Sequence, residues 1–186
     1  MRTITVLNRI SIDGFFAGPN GEIDWFIPDP EVDRAVHDAG SADTLLLGRN
    51  TFQLFEKSWP PFLDDPNAPP QMKAVAEELT KMKKIVFSKT LQQTTWANTE
   101  FVADGVIEKV TNLKAGEGTG MMMFGSGEII QQLSDAGLID EYLFIVTPVV
   151  LGKGKALFKD VNKVSMKLAD TQSFASGNVL LHYKTR

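Results

Sequence analysis

Residues 121–130 read Met-Met-Met-Phe-Gly-Ser-Gly-Glu-Ile-Ile, an apolar run that breaks on Gly125-Ser126-Gly127 and resumes with helical spacing at Ile129, Ile130, Leu133 and Leu138. A short run without polar alternation is the pattern of a strand buried on both faces, and the glycines mark its turn into a helix. The same grammar occurs upstream, where Thr44 to Leu47 form a short apolar strand, Gly48 bounds it, and a helix is predicted from Arg49-Asn50-Thr51. Two strand-glycine-helix units predict a parallel α/β sheet. The first turn of such a helix presents N–H groups and the positive end of its dipole, which suits a phosphate; Arg49 adds a forked cation and Thr51 a hydroxyl. Two readings stay open for each unit, a phosphate cradle or a plain structural turn. Gly125, Ser126, Gly127 and Glu128 fail as a G-x-G-x-x-G dinucleotide fingerprint, because Ile130 stands where glycine or alanine is required, and the lysine of a P-loop is missing.

Outward from these units, Thr3 to Ile12 alternates as a strand, with Ile4, Val6, Ile10 and Ile12 on one parity and Asn8 as the polar exception among them. Asp13 to Trp25 carries three glycines and a Pro-Asn-Gly turn between aromatics, so it reads as an anchored loop. Asp29 is placed to cap a helix that opens on Pro30, buries Val32, Ala35, Val36 and Ala39, and stops at Gly40. Five of the nine prolines lie between Trp59 and Pro70, predicting an extended crossover into the amphipathic run 71–82. Lys84 to Ser88 reads as a buried strand, Phe101-Val102 as a short one, and Gly105 to Leu113 as a helix. After residue 140 the style changes, with strands in 141–150 and 164–184 and no helix between them, the last pair turning near Ser176-Gly177-Asn178. The expected fold is one α/β domain over residues 1–186, a sandwich whose mixed sheet ends in an antiparallel hairpin.

Composition narrows the function. The 186 residues carry a net charge of −4 and no cysteine, which excludes thiol chemistry and Cys-ligated metals. His37 and His182 are the only histidines and have no metal-ligand spacing, so no metal is expected. A pI near 5.2 argues against nucleic-acid and anionic-membrane binding. No run reaches bilayer length and the N-terminus lacks a signal-peptide core, so a cytoplasmic protein is expected.

Further candidates sit at predicted strand ends and loops. Ser88 and Lys89 place a hydroxyl and a cation where they could meet an adenosine phosphate, or simply end a strand in solvent. The acids of the first loop and helix are Asp13, Asp24, Asp29 and Glu31; Asp29 is read as a cap, and Glu31 could face a cleft and relay a proton or stand in solvent. Eight of the seventeen aromatics fall between residues 15 and 62, a cluster that fits a pocket wall for a planar ligand, core packing or a dimer seam. No Ser-His-acid arrangement is present.

Taken together, Ser11-Ile12-Asp13-Gly14-Phe15-Phe16-Ala17, Asp43 through Leu47-Gly48-Arg49-Asn50-Thr51, Gly125-Ser126-Gly127, Gly137-Leu138-Ile139-Asp140-Glu141 and Pro148 to Gly154 through Leu157-Phe158 resemble the dihydrofolate reductase-like family, including the C-terminal reductase domain of the riboflavin biosynthesis deaminase-reductase. The resemblance spans residues 2 to 184 and implies a dihydrofolate reductase-like three-layer sandwich with a mixed eight-stranded sheet. It implies NADPH as cofactor, hydride transfer to a C=N or C=O bond of a small-molecule substrate, and a homodimer formed through the late strands. By position, Gly48, Arg49, Thr51, Ser88, Lys89, Gly125, Ser126, Gly127 and Glu128 match the cofactor-phosphate segments, and Ala17 and Gly18 the mobile loop over the nicotinamide. Trp25, Leu151 and Gly152 are expected on the substrate side, with Glu31 and Asp13 as acid candidates. Departures bear on the substrate. Riboflavin-pathway reductases carry a lysine where this chain has Leu7, no cysteine-bearing deaminase half is present, and the Pro-Trp segment of folate reductases is not reproduced around Trp25. The readings left are an NADPH-dependent reductase of a small heterocycle or carbonyl compound, a 5-amino-6-(5-phosphoribosylamino)uracil reductase, a dihydrofolate reductase, and a non-catalytic nucleotide-binding module.

Overall fold

A computed structural model describes residues 1–186. Ten strands and six helices follow in order: β1 (Thr3–Ser11), β2 (Phe15–Ala17), α1 (Pro30–Asp38), β3 (Thr44–Gly48), α2 (Arg49–Ser58), α3 (Pro61–Asp64), α4 (Pro70–Lys81), β4 (Lys83–Phe87), β5 (Thr99–Val102), α5 (Val106–Ala115), β6 (Gly120–Phe124), α6 (Gly127–Asp135), β7 (Glu141–Thr147), β8 (Lys155–Ala156), β9 (Met166–Ser173) and β10 (Val179–Thr185). Eight strands form one sheet in the order β5-β4-β3-β6-β1-β7-β10-β9, and β2 pairs with β8 in a small ribbon. The first six of that order are mutually parallel, so all six carboxyl ends share one edge. β10 runs antiparallel to β7 and β9 antiparallel to β10, which gives the mixed sheet with its terminal hairpin.

Strand parity sorts the core. Ile4, Val6, Leu46, Ile85, Met121, Met123, Tyr142 and Phe144 point to one face and pack with Val110 of α5 and Ile129, Ile130 and Leu133 of α6. On the other face Leu45, Leu47 and Val86 meet Phe52 of α2 and Leu79 of α4, while Leu7, Leu143, Ile145 and Leu180 meet Val32 of α1. Helices on both faces make three layers. Each fully buried aliphatic side chain contributes about 1.5–3 kcal/mol.

Several local expectations are revised. The proline-rich crossover is not extended throughout, since Pro60 adopts helical backbone angles and Pro61 opens the short helix α3. Leu138 lies beyond α6: Gly137, at φ +65°, ends the helix, and the Leu138 and Gly137 N–H groups return to the carbonyls of Leu133 and Ser134. β7 stops at Thr147, before Pro148. Lys84 is fully buried in β4, where its ammonium donates to the carbonyls of Leu79, Thr80 and Met82 at the end of α4; burial pushes its pKa down to about 8. No helix is long and apolar enough to cross a membrane.

Candidate active site at the carboxyl edge of the sheet

β3 and β6 are neighbours, and each delivers the chain into a helix at the shared carboxyl edge. Serine at a helix N-cap ordinarily accepts from the first-turn N–H groups. Ser126 does not: its backbone is left-handed at φ +51°, and its Oγ accepts instead from Gly48 N at 2.9 Å on the adjacent strand. Ser126 N in turn donates to Thr51 Oγ1 at 3.0 Å, and Gly125 N to Asn8 Oδ1 at 2.7 Å. These bonds stitch the two turns together and leave α2 and α6 without side-chain caps. The Ser126 and Thr51 oxygens accept from the protein itself, and each hydroxyl keeps its O–H as a donor.

The glycines of this region are not equivalent. Gly125 sits at φ +50°, and a Cβ there would lie 2.7 Å from Thr51 Oγ1. At Gly127 a Cβ would lie 2.8 Å from the Phe16 ring, so the start of α6 packs against β2. Gly48 differs from the turn glycine expected of it: its backbone is extended at φ −78°, and a Cβ would meet nothing nearer than 3.6 Å.

Beyond β3, Arg49 is exposed and donates to Thr90 Oγ1 at 2.9 Å, bridging to the turn after β4. Ser88 is buried, and its Oγ accepts from Leu91 N at 2.9 Å and Thr90 N at 3.3 Å, so it shapes that turn. Lys89 leans toward the edge strand β5 in an exposed 2.7 Å ion pair with Asp104, whose hydrogen bond and charge raise its pKa. Hydrogen bonds thus tie Gly48 and Thr51 to Ser126, with Gly125, Gly127 and Glu128 adjoining it in sequence, while Arg49 reaches the turn after β4 and Lys89 pairs with Asp104.

The other half of the edge is built on acceptors. In the turn after β1, Gly14 at φ +84° donates to the Ser11 carbonyl. Asp13 accepts from Leu151 N at 3.2 Å and Gly152 N at 2.7 Å, with Gly152 left-handed at φ +71°. Hydrogen bonding from the Ser11 hydroxyl, and then from these two N–H groups, holds the Asp13 carboxyl below its usual range. Both of its oxygens accept from the Leu151-Gly152 loop, so Asp13 acts as a latch between the turn after β1 and that loop. Ala17 is buried in the β2–β8 ribbon, and Gly18 closes a tight loop in which its N–H donates to Glu22 O at 2.8 Å. Trp25 donates to Glu22 O at 3.2 Å and meets the Phe26 ring edge-on at 4.6 Å.

Asp29 caps α1 as expected, accepting from Glu31 N and Val32 N; a bond from Ser176 Oγ is the main cause of its lowered pKa. Glu31 is exposed and lines a cavity of about 420 Å³ between α1 and the antiparallel end of the sheet, with Arg34, Asp38, Asp170 and His182 among its walls. None of the glycine-turn residues lines that cavity.

Sequence reasoning gave no role to Arg9, Asn178 or Phe124. Arg9 donates to Ile27 O and Asp33 at 3.2 Å each, and Asn178 Nδ2 also donates to Ile27 O at 3.2 Å, so the segment before α1 is clamped from β1 and from the β9–β10 turn. Phe124 packs at the meeting of the two core clusters under α1 and α2, 5.4 Å from Phe55, which continues through Trp59 to Phe62 as an aromatic wall. A polar side chain at a buried strand parity was the one available signal, and only Asn8 displayed it plainly.

The topology is a dihydrofolate reductase-like fold, a mixed eight-stranded sheet ending in an antiparallel hairpin with helices on both faces. Residues 2–181 match the family described as the RibD C-terminal domain, and the chain belongs to that family. It is 34% identical over 183 residues to the uncharacterized protein YyaP of Bacillus subtilis, covering 98% of this chain and 94% of that one. A putative riboflavin biosynthesis protein from Shewanella sp. PV-4 shares the fold with TM-score 0.73 and 21% identity, covering 99% of both chains. Dihydrofolate reductase from Enterococcus faecalis, solved with NADP(H) and RAB-propyl, shares it with TM-score 0.62 and 14% identity over 99% of this chain and 96% of that one.

Proposed function

We propose that the chain is an NADPH-dependent reductase that transfers hydride to a small heterocyclic or carbonyl substrate. The observation that carries this reading is the pair of helix N-termini on adjacent strands, both without side-chain caps and stitched together through Ser126 and Thr51. A diphosphate suits that arrangement, because helix-end N–H groups favour negative charge. Gly48 supports it as well: its backbone does not require glycine, whereas an approaching phosphate would.

NADPH, when bound, supplies the hydride; orientation and protection fall to the chain. In this reading Gly127, Glu128 and the first turn of α2 hold the diphosphate, Arg49 and the Ser88 turn meet the adenosine end, and Ala17 and Gly18 border the nicotinamide. Trp25, Leu151, Gly152 and the Phe124–Phe55–Trp59 wall flank a planar substrate. With Asp13 engaged as a latch and Glu31 exposed in the cavity beside α1, a bound water delivers the proton.

Titration with NADPH and NADH, followed by quenching of the three tryptophans, tests the reading. A saturable signal stronger for NADPH is expected, with NADPH oxidation by at least one of a panel of pterins, pyrimidines and quinones. No saturable signal with either nucleotide would overturn it, and binding without oxidation would leave a nucleotide-binding module.

Two copies are proposed to meet through the late strands. Edge strand β9 is exposed on both faces; Leu168, paired with Tyr183, and Phe158, packed on Tyr142 and Phe144, are 46% and 40% exposed. Light scattering should give a dimer that Leu168→Glu dissociates; a wild-type monomer refutes the pairing.

A further inference from the structure

Asn8 lies between Val6 and Ile10 on the face of β1 that packs against α5 and α6, and it is only 5% exposed. An unpaired amide at such a position is strongly unfavourable. Both ends of this amide are used, and on a single residue: Oδ1 accepts from Gly125 N at 2.7 Å and Nδ2 donates to Gly125 O at 3.3 Å. Strand pairing does not need these bonds, because the β1–β6 ladder already runs to Leu7↔Phe124.

The two bonds fix both peptides that flank Gly125. The Gly125 carbonyl is drawn toward β1, and in a trans peptide the N–H at the other end of the same unit points the opposite way. That N–H belongs to Ser126 and reaches Thr51 Oγ1 at 3.0 Å. Beyond it come the Gly127 and Glu128 N–H groups, at a helix start with no side-chain cap. A reversed Gly125–Ser126 peptide would aim a carbonyl oxygen outward and break the Ser126–Thr51 bond.

We propose that Asn8 is the positioning residue of the dinucleotide site: by holding the Gly125 carbonyl inward, it keeps a hydrogen-bond acceptor away from bound phosphate, so that the turn offers an anion donors alone. The proposal rests on the cofactor part of the reductase reading.

Calorimetric titration of wild type, Asn8→Leu and Asn8→Asp with NADPH between about pH 5 and pH 8 tests it. The leucine variant keeps the shape and apolar packing but leaves both Gly125 groups unpaired, and should bind NADPH about tenfold more weakly or worse. The aspartate variant should be equally poor at the alkaline end and recover relative to wild type as pH falls. A protonated carboxyl offers one O–H donor and one acceptor, as the amide does, whereas a carboxylate faces the Gly125 oxygen with no proton. Adenosine 2′-phosphate, which lacks the diphosphate, should bind all three proteins alike.

Wild-type affinity for NADPH in a folded leucine variant would overturn the proposal. Equal losses for NADPH and adenosine 2′-phosphate would overturn it too, since general loosening would then explain the effect. Should the leucine variant not fold, the aspartate series decides, and absence of acid recovery refutes the role. A wild type that binds no NADPH fails at the earlier step and removes the reductase reading with it.

Discussion

The turn after β6 and the loop after β1 leave neighbouring parallel strands at the same edge of the sheet, yet they are held by opposite chemistry. Around Gly125 to Glu128 the fixing groups are uncharged: an amide, two hydroxyls and backbone N–H groups. Between residues 13 and 31 carboxylates join them, with Asp13 on the Leu151-Gly152 loop, Glu22 on Asn20 and Asp29 on the start of α1, beside the Arg9 and Asn178 clamp on Ile27. A carboxylate accepts hydrogen bonds and repels phosphate. In the proposed reading the half around the glycine turns takes the anionic part of the cofactor, and the half held by carboxylates borders the substrate.

Substitutions should separate the halves. Gly125→Val forces a β-branched residue into φ +50° against Thr51, which should abolish NADPH binding and lower stability by about 2–3 kcal/mol in urea titrations. Unchanged NADPH affinity in that variant would remove the turn from the site. Asn178→Ala removes one of the two side-chain bonds to the Ile27 carbonyl in the opposite half; a stability loss of about 1–3 kcal/mol is expected with NADPH affinity intact, and a matching loss of affinity would mean that the halves are coupled.

Acid should act on one half alone. Asp13, Glu22 and Asp29 all have pKa values lowered by hydrogen bonds they accept, so their contribution to stability is present above the ordinary carboxylate range and is lost as pH falls below it. Amide NMR signals of Leu151 and Gly152 should move as pH falls below about 4, while those of Gly125 and Ser126 hold still. Simultaneous movement of both sets would contradict the division. The smallest effect on the fold is expected at Gly48→Ala, which should leave stability unchanged or raise it by about 0.4–1 kcal/mol while weakening NADPH several-fold. Full affinity would show that no phosphate approaches that backbone.

Much of this was legible before the structure. Strand parity in β1, the apolar runs of β3 and β6 and the Asp29-Pro30 helix start are local signals, and each element lies within a few residues of its predicted bounds. The roles of the site residues were less so, because they depend on which strands become neighbours. Ser126 looks like an ordinary helix cap until β3 is placed beside it, and Asp13 looks like a free acid until the Leu151-Gly152 loop folds over it. The ribbon of β2 and β8 joins residues some 140 apart and has no signature in either segment. Asn8 was visible as an anomaly, but its partner lies 117 residues away.

The most direct measurement is an amide NMR titration of the wild-type protein with NADPH. The N–H signals of Arg49, Asn50, Gly127 and Glu128 should shift most, with smaller changes at Ala17 and Gly18. Shifts confined to Glu31, Arg34, Asp170 and His182 around the cavity beside α1, or no shifts at all, would contradict the assignment of the glycine turns as the phosphate site.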